Sequence, residues 1–386
     1  MRKVAVLGVG QCKWGMLADR TVHDMIAEVG NAALRDAGVP RNLIEAVYLG
    51  NVTGGELCNQ YTMGSVAAHA LGIPAVPAHR YEAACCTGAI GFREAYLAVA
   101  NGVYDFVLVI GVEKLNVGDM DRTVEVISRG FDSWEGRIGL LAPSQYALYA
   151  TAHMHAYGTT REQLAMVAEK NYYHGSLNPD AHMQKRYTVE DVLAAPMISD
   201  PLGRHDCSLV TDGAAAVVIG PLEKAKEYNA RPIEVLASAV GAETSTTASR
   251  ESYVSFGSTR RAVEAAYKQA KLGPEDISFV ETHDCFTITE IINIEDLGFV
   301  PKGEGGAAVQ DGYTRLGGKI PVNVSGGLKA KGHALGATGV GQIYEAVKQL
   351  RGEAGERQVP NAEVALTHML GGAPSISTVH IFARGY

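Results

Sequence analysis

The stretch EAACCTGAIG, residues 82–91, joins an extended segment to a helix of small residues and carries two adjacent cysteines. The first turn of a helix has unsatisfied N–H groups and a partial positive charge, so a thiolate there is stabilised and the pKa of its thiol is lowered. Free cysteine is also a common filler of protein cores. Whether these cysteines are reactive or are core residues depends on which other residues the fold places near this turn.

The bulk composition argues for an enzyme-sized globular protein with a small-molecule substrate. The 386 residues include 47% hydrophobic and 20% charged residues, and the formal net charge is −8. Nucleic-acid and membrane-surface binders need clustered basic residues, so we expect neither partner. No signal-like segment and no apolar run of about 18 residues occurs, which predicts a soluble, cytoplasmic protein. Six cysteines without CxxC spacing predict reduced thiols and no metal site.

An internal repeat determines the predicted fold class. The first half begins with a buried strand at Val4–Gly10 and a helix that Thr21 caps, and residues 44–50 form the next strand. Residues 272–281 echo residues 39–49, and the helix at 339–350 echoes the helix that begins at Gly88. Two copies of an alternating strand–helix unit predict an α/β fold built from two duplicated halves, each a mostly parallel sheet with buried helices.

The repeat also divides the chain. We expect a first half at residues 1–220 and a second half at residues 221–386. Between about residues 114 and 200 the apolar strands disappear and the pattern becomes helical, which indicates an insertion within the first half. Such an insertion often shapes a substrate pocket.

Matching loops of duplicated halves should meet in one cleft near the pseudo-twofold axis. The loop with Cys85 has its counterpart at residues 325–339, which contain His333. A third loop, residues 281–286, follows a strand of the second half and carries His283 and Cys285. We therefore expect a thiol, two imidazoles and a second thiol in one place.

Several motifs together resemble the thiolase superfamily, and the resemblance covers almost the whole chain. It implies the thiolase fold, with αβαβα layers and a five-stranded sheet in each half. The HDCF version of the third loop is most similar to the sterol-carrier-protein-type and archaeal thiolases, whereas biosynthetic thiolases carry Asn-Glu-Ala-Phe there. The motifs are CCTG at 85–88, NP at 178–179, ISDPL at 198–202, DGAAA at 212–216, HDCF at 283–286 and GHALGATG at 332–339.

The resemblance implies a role for each residue of the cleft. Cys85 would be the nucleophile that carries the acyl group as a thioester, and His333 would take its proton. His283 would replace the family asparagine and hold a water that, with His333, forms an oxyanion hole for the thioester enolate. The N–H groups of Cys85 and Gly371 would form a second hole. Cys86 would be packing.

One departure from the family pattern concerns proton transfer at the α-carbon. Most thiolases carry a second catalytic cysteine in a Cys-X-Gly motif near the C-terminus, but Met369 stands there in this chain. In the sterol-carrier-protein type, the cysteine of the HDCF loop supplies that sulfur, which makes Cys285 the candidate acid/base. His368 is the alternative, with Cys285 then a core residue.

The resemblance implies coenzyme A as a substrate, with no tightly bound cofactor. Lys329 and Lys331, near the catalytic histidine, are candidate ligands for its phosphates, although lysines at such positions are often simply solvated. The short insertion predicts a homodimeric core and a small zinc-ribbon and OB-fold partner, as beside related archaeal thiolases.

The predicted activity is that of an acyl-CoA C-acyltransferase acting on acetoacetyl-CoA or a larger branched, steroid-derived or aromatic 3-oxoacyl-CoA, in either direction. Three alternatives stay open at this point. They are a condensing synthase, a thiolase-like retro-aldolase that never acylates a cysteine, and a non-catalytic acyl-CoA-binding scaffold.

Overall fold

A computed structural model describes residues 1–73 and 75–385, which form a nine-stranded mixed sheet, a small hairpin and helices on both faces. The strands are β1 (Val4–Gln11), β2 (Ile44–Gly50), β3 (Ala78–Tyr81), β4 (Phe106–Glu113), β5 (Met197–Ser199), β6 (Leu202–Gly203), β7 (Gly213–Pro221), β8 (Ile233–Ala242), β9 (Phe279–Glu281), β10 (Val364–Gly371) and β11 (Ile376–Arg384). The helices are α1 (Val22–Ala37), α2 (Gly54–Leu57), α3 (Met63–Ala70), α4 (Thr87–Ala100), α5 (Met120–Ser128), α6 (Ser133–Arg137), α7 (Ala142–Tyr157), α8 (Arg161–Ser176), α9 (Val189–Leu193), α10 (Leu222–Tyr228), α11 (Gly257–Ala270), α12 (Thr287–Asp296), α13 (Gly305–Gln310), α14 (Gly327–Ala330) and α15 (Leu335–Leu350).

The strand order β3-β2-β4-β7-β1-β8-β11-β10-β9 is symmetric about the antiparallel pair β1–β8. In the first half β1 to β4 run in one direction and β7 runs against them. In the second half β8, β9 and β10 share a direction and β11 opposes them. The predicted duplication of two mostly parallel sheets is therefore confirmed.

The second half differs from the first at its outer edge. An isolated parallel bridge between Val280 and Val322 stands where a fifth strand was expected. Pro321 has no N–H to donate to a ladder, and Asn323 has a left-handed backbone with φ of 55°. These two residues limit the pairing to a single bridge, so the prediction of five strands holds only for the first half.

Two helices lie between the two halves of the sheet. The helix α15 packs on β4 and β7 of the first half and on β10 of the second, and it also contacts α4. The outer faces are covered by α1 and α3 on one side and by α11 on the other, which confirms the αβαβα layers. The halves approach so closely that a Cβ atom at Gly88 would lie 2.5 Å from the carbonyl oxygen of Gly336.

A local signal in the sequence predicted where α1 begins, whereas another such signal failed. Thr21 caps α1, and its hydroxyl accepts the N–H of Asp24 at 3.2 Å. From the sequence, the two glycines at 54 and 55 indicate the start of one helical stretch that reaches about Leu71. That prediction is wrong, because residues 58–62 separate α2 from α3. Asn59 adopts a left-handed backbone with φ of 52° in that break, a conformation that a helix cannot contain and that Asn tolerates.

The region between β4 and β7 contains α5 to α9 and the hairpin β5–β6, as the helical pattern indicated. None of the helices within residues 1–73 and 75–385 is long and apolar enough to cross a lipid bilayer.

Asp212, from the DGAAA motif, ties the ends of the central strands together. Its carboxylate is fully buried. One oxygen accepts the N–H groups of Leu115 at 2.7 Å and Asn116 at 2.8 Å. The other accepts the N–H of Leu17 at 3.0 Å and the ammonium of Lys114 at 2.8 Å. This network holds the segment after β4 against the segment after β1.

We expect Asp212→Ala to lower the free energy of unfolding by about 3–5 kcal/mol, because it leaves a largely buried lysine and several N–H groups without their acceptor. Urea denaturation would measure the change. Glu125→Gln removes one partner of the exposed ion pairs with Arg122 and Arg129 and should leave stability unchanged. Equal stability of Asp212→Ala and Glu125→Gln would contradict this account.

Candidate active site

The three loops predicted to meet do so between the two halves. Cys85 lies two residues before the first residue of α4, and Ala84 before it has a left-handed backbone with φ of 49°. His333 lies between α14 and α15 and forms a parallel bridge with Val210. The Cys85 Sγ atom is 3.1 Å from Nε2 of His333.

The hydrogen bonds around His333 determine which nitrogen carries its proton. The hydroxyl of Thr338 donates to the carbonyl oxygen of Ala334 at 3.0 Å. The oxygen of the same hydroxyl is 2.9 Å from Nδ1 of His333 and is therefore placed to accept a hydrogen bond from an N–H there. This network assigns the proton to Nδ1 and leaves the lone pair of Nε2 facing the Cys85 thiol.

Burial controls the charge state of this pair. It raises the pKa of the Cys85 thiol well above its ordinary value, with smaller contributions from Cys285, Cys86 and Glu113. It also lowers the pKa of His333 to about 3, with help from the Lys329 ammonium. The prediction that the helix start lowers the Cys85 pKa is therefore wrong, because desolvation outweighs the dipole. The resting pair is a neutral thiol beside a neutral imidazole.

His283 completes a compact cluster with these two residues. One ligand atom each from Cys85, His283 and His333 lies within 4.8 Å of the others. The two imidazole rings are 5.3 Å apart at an angle of 82°. Within the described residues Nδ1 of His283 is buried without a hydrogen-bond partner, and burial lowers the pKa of this histidine well below its usual value.

Cys285 faces the same cavity, and Tyr146 is its most informative neighbour. The Tyr146 hydroxyl acts to lower the pKa of the Cys285 thiol, and the Tyr146 ring stacks on Phe286 at 4.6 Å. The Cys285 sulfur also lies 3.7 Å from Oγ1 of Thr289. Burial raises the pKa of Cys285 to about 12, while both hydroxyls and Lys329 act to lower it.

His368, the alternative to Cys285, is placed differently. It is fully buried, and its ring nitrogens lie 3.0 Å from the hydroxyl of Thr259 and 2.8 Å from that of Thr282. It does not line the catalytic cavity, whereas Cys285 does. Of the two candidates, Cys285 is therefore the one that the cavity supports.

The remaining predicted positions lie close to the Cys85 turn. Gly371 ends β10 and packs so tightly that a Cβ atom there would lie 2.5 Å from the carbonyl oxygen of Ala83. Its neighbour Gly372 lines the cavity. Cys86 is fully buried with its sulfur 3.4 Å from the hydroxyl of Thr378, which confirms it as a packing residue.

The structure contradicts the assignment of Lys329 and Lys331 to the coenzyme A phosphates. Lys329 is fully buried and donates to the carbonyl oxygens of Asp206 and Cys285. Lys331 is buried as well and donates to the carbonyl oxygen of Gly341 at 2.7 Å. Ammonium groups enclosed and satisfied in this way cannot reach phosphates in solvent, and their proximity to His333 in sequence did not reveal their burial.

Two positions of the candidate site were missed in the sequence. Tyr146 is one of several tyrosines of the insertion and had no distinguishing signal. Glu113 ends an apolar strand, and a single charged residue at the end of such a strand could have been recognised in the sequence as a candidate site residue. Its buried carboxylate accepts the N–H groups of Val52 and Gly336, each at 2.9 Å, and so holds the His333 loop against the first half.

The cavity at these residues has a volume of about 290 Å³ and a largely apolar wall. The insertion supplies much of that wall, through Val124, Ile127, Phe131 and Leu141. The expectation that the insertion shapes the pocket is thereby confirmed.

Comparison with known proteins agrees with this architecture. The family "Thiolase, N-terminal domain" matches residues 6–223, and "Thiolase C-terminal domain-like" matches residues 239–384. An acetyl-CoA acetyltransferase of Methanothermobacter thermautotrophicus is 47% identical over 100% of both chains. Human sterol carrier protein 2 is 34% identical over 96% of this chain and 70% of its own length. The solved structure "Ltp2-ChsH2(DUF35) aldolase" has a TM-score of 0.86 at 25% identity, covering 99% of this chain and 98% of that one.

The fold and these relatives define a transferase of the thiolase type. The chain belongs to the thiolase family.

Proposed function

We propose that the protein is an acyl-CoA C-acyltransferase that cleaves a 3-oxoacyl-CoA with coenzyme A, or catalyses the reverse Claisen condensation, through an acyl-Cys85 intermediate. The observation that carries the proposal is the 3.1 Å contact between the Cys85 sulfur and the unprotonated Nε2 of His333, at the wall of an apolar cavity. The acetyl-CoA acetyltransferase relative supports the same activity.

In the first half-reaction, the Cys85 sulfur attacks the 3-oxo carbonyl carbon while Nε2 of His333 takes the thiol proton. The tetrahedral oxyanion would be held by the N–H groups of Cys85 and Gly371. The bond between C2 and C3 then breaks, the acyl group that begins at C3 stays on Cys85, and the electron pair forms the enolate of the CoA thioester that keeps C1 and C2, which is acetyl-CoA when C2 carries no branch. His283, through a bound water, and His333 stabilise that enolate oxygen.

Cys285 completes the first half-reaction by giving its thiol proton to C2 of the enolate, which releases the CoA thioester that carries C1 and C2. Its high pKa, about 12, makes the thiol the resting form and so suits a proton donor in this direction. In the second half-reaction the coenzyme A sulfur attacks the acyl-Cys85 thioester, and its thiol proton passes to the Cys285 thiolate. The bond to the Cys85 sulfur breaks, the shortened acyl-CoA leaves, and the protonated His333 returns its proton to Cys85. Coenzyme A is thus a substrate, and no tightly bound cofactor is required.

The apolar cavity supports an acyl chain larger than acetyl, such as a branched or aromatic one, besides acetoacetyl-CoA. A second candidate function is a retro-aldolase that cleaves a β-hydroxyacyl-CoA, because a similar structure carries the name "Ltp2-ChsH2(DUF35) aldolase". That reaction needs no acylated cysteine. The Cys85–His333 contact favours acyl transfer over it.

A substrate panel separates the two functions. The purified protein would be supplied with 3-oxoacyl-CoA esters plus coenzyme A in one series and with β-hydroxyacyl-CoA esters in another. We expect thiolysis in the first series and no carbon–carbon cleavage in the second. Cleavage of β-hydroxyacyl-CoA alone would establish the aldolase instead.

The assembly in which this chemistry occurs is also part of the proposal. We propose a cytoplasmic homodimer, with chain halves that divide near residue 220, and a small zinc-ribbon and OB-fold partner that helps close the coenzyme A site. The name of the similar aldolase joins Ltp2 to ChsH2(DUF35), which supports a partner here. Light scattering of the purified chain, alone and after co-expression with its partner, measures both associations.

Cys285→Ala should lower turnover of 3-oxoacyl-CoA by roughly 10²- to 10⁴-fold, the usual contribution of a positioned acid/base. Acylation of Cys85 by acetyl-CoA should persist, because that step uses His333. The loss of turnover in Tyr146→Phe should be smaller, at about 10- to 100-fold, since the substitution removes a hydroxyl that lowers the pKa of Cys285 and so stabilises its thiolate. Steady-state turnover and mass-spectrometric acylation measure the two steps separately. Unchanged turnover in Cys285→Ala would remove Cys285 from the mechanism.

A further inference from the structure

The cluster of Cys85, His283 and His333 has a ligand geometry that acyl transfer does not use. Zinc binds thiolate at about 2.3 Å and imidazole at about 2.0–2.1 Å, so the ligand atoms of a tetrahedral site lie roughly 3.3–3.7 Å apart. The Cys85 sulfur is 3.1 Å from Nε2 of His333, and all three ligand atoms lie within 4.8 Å of one another. Side-chain shifts of about an ångström would place them around one ion.

The surroundings of the two histidines suit ligation. Nδ1 of His333 is 2.9 Å from the Thr338 hydroxyl, which fixes the ring with the lone pair of Nε2 toward the cluster. Such a partner on the far ring nitrogen is a regular feature of metal-binding histidines. His283 lacks such a partner: its Nδ1 is buried without a hydrogen bond among the described residues, so a polar atom of this ring is left unsatisfied beside the cluster.

The chemistry of the cavity selects the kind of ion. No Asp or Glu is among the described residues that line it. Magnesium and calcium need oxygen ligands, whereas one thiolate and two imidazoles suit zinc and its neighbours in the transition series. The open cavity leaves a fourth position for water.

We propose that Cys85, His283 and His333 together bind one zinc ion in the substrate-free protein and that the bound ion blocks the nucleophile. A bond forms between zinc and the Cys85 sulfur, the thiol proton is released to solvent, and no group changes oxidation state. Zinc and an acyl group cannot occupy the sulfur at once. The site is therefore a reversible inhibitory one.

Zinc binding is measured directly on the metal-free protein, by competition against a chromophoric chelator. We expect one equivalent of zinc, and a cobalt-substituted sample with a thiolate-to-cobalt charge-transfer band. Cys85→Ser and His283→Ala should each weaken binding at least tenfold. Thr338→Val should weaken it by about 10- to 100-fold, the usual effect of removing an outer hydrogen-bond partner. Cys207→Ala, which removes another cavity thiol, should bind zinc as the unchanged protein does.

A second measurement needs no variant and guards against misfolding. Zinc should protect Cys85 from alkylation by iodoacetamide in the unchanged protein, as read by peptide mapping, and a chelator should restore the reaction. Failure of zinc to protect Cys85 would overturn the proposal, as would zinc affinity that survives both Cys85→Ser and His283→Ala. Neither measurement depends on turnover, so the zinc proposal and the proposed acyl transfer can each fail independently of the other.

Discussion

Cys85→Ser should lower turnover of a 3-oxoacyl-CoA by on the order of 10⁴-fold or more. Nε2 of His333 lies 3.1 Å from the sulfur it must deprotonate, and its basicity is weak because burial lowers its pKa to about 3. A serine hydroxyl is far less acidic than a thiol, so the same imidazole cannot activate it. Coupled spectrophotometric assay of thiolysis measures the loss.

Cys86 provides the matched control for that substitution. It is the adjacent residue, but its side chain is fully buried against Met369 and Thr378. Cys86→Ala should therefore keep turnover within a few-fold of the unchanged protein. The nucleophile assignment would be lost if Cys85→Ser retained a tenth of the activity or if Cys86→Ala were the inactive variant.

His333→Asn should slow acylation of Cys85 by roughly 10²- to 10⁴-fold, because it removes the base that takes the thiol proton. The pKa of His333 is lowered to about 3, so the imidazole is protonated only below that pH and stays neutral as the pH falls from 8 to 5. The acylation rate of the unchanged protein should therefore stay nearly constant over that range. Rapid-quench mass spectrometry at each pH measures it.

His182 serves as the control, because its backbone N–H donates to the carbonyl oxygen of Lys331, two residues before His333. Its Nδ1 lies 3.0 Å from the Thr211 hydroxyl, and it does not line the cavity. His182→Asn should acylate at the normal rate. An acylation rate that falls with an apparent pKa between 6 and 7 would contradict a buried neutral His333, and so would an unimpaired His333→Asn.

The fold could be predicted because its signals are local and repeated. The apolar strand at residues 4–10, the Thr21 cap and the echo of residues 39–49 in residues 272–281 depend on neighbouring residues alone. The break between α2 and α3 could not be predicted in the same way, because Asn59 tolerates a left-handed backbone without requiring it. The second half lacks a fifth strand partly because Pro321 has no N–H to donate. That loss matters only next to a particular partner strand, which the sequence does not identify.

Part of the candidate site could be predicted because the internal repeat places equivalent loops of the two halves next to each other. Cys85, His283, Cys285 and His333 all come from loops that the duplication places together. Two sequence-based predictions failed because they depend on burial by distant segments. They are the direction of the Cys85 pKa shift and the exposure of Lys329. Tyr146 reaches Cys285 only through the packing of α7 on Phe286, and a single sequence carries no sign of that contact.

The most direct test of acyl transfer through Cys85 is the mass of the protein after incubation with acetyl-CoA or acetoacetyl-CoA, followed by peptide mapping. We predict one acetyl group on Cys85, its removal when coenzyme A is added, and no adduct in Cys85→Ser. A broad panel of acyl-CoA esters that leaves Cys85 unmodified, or an acyl group found on another cysteine, would contradict it.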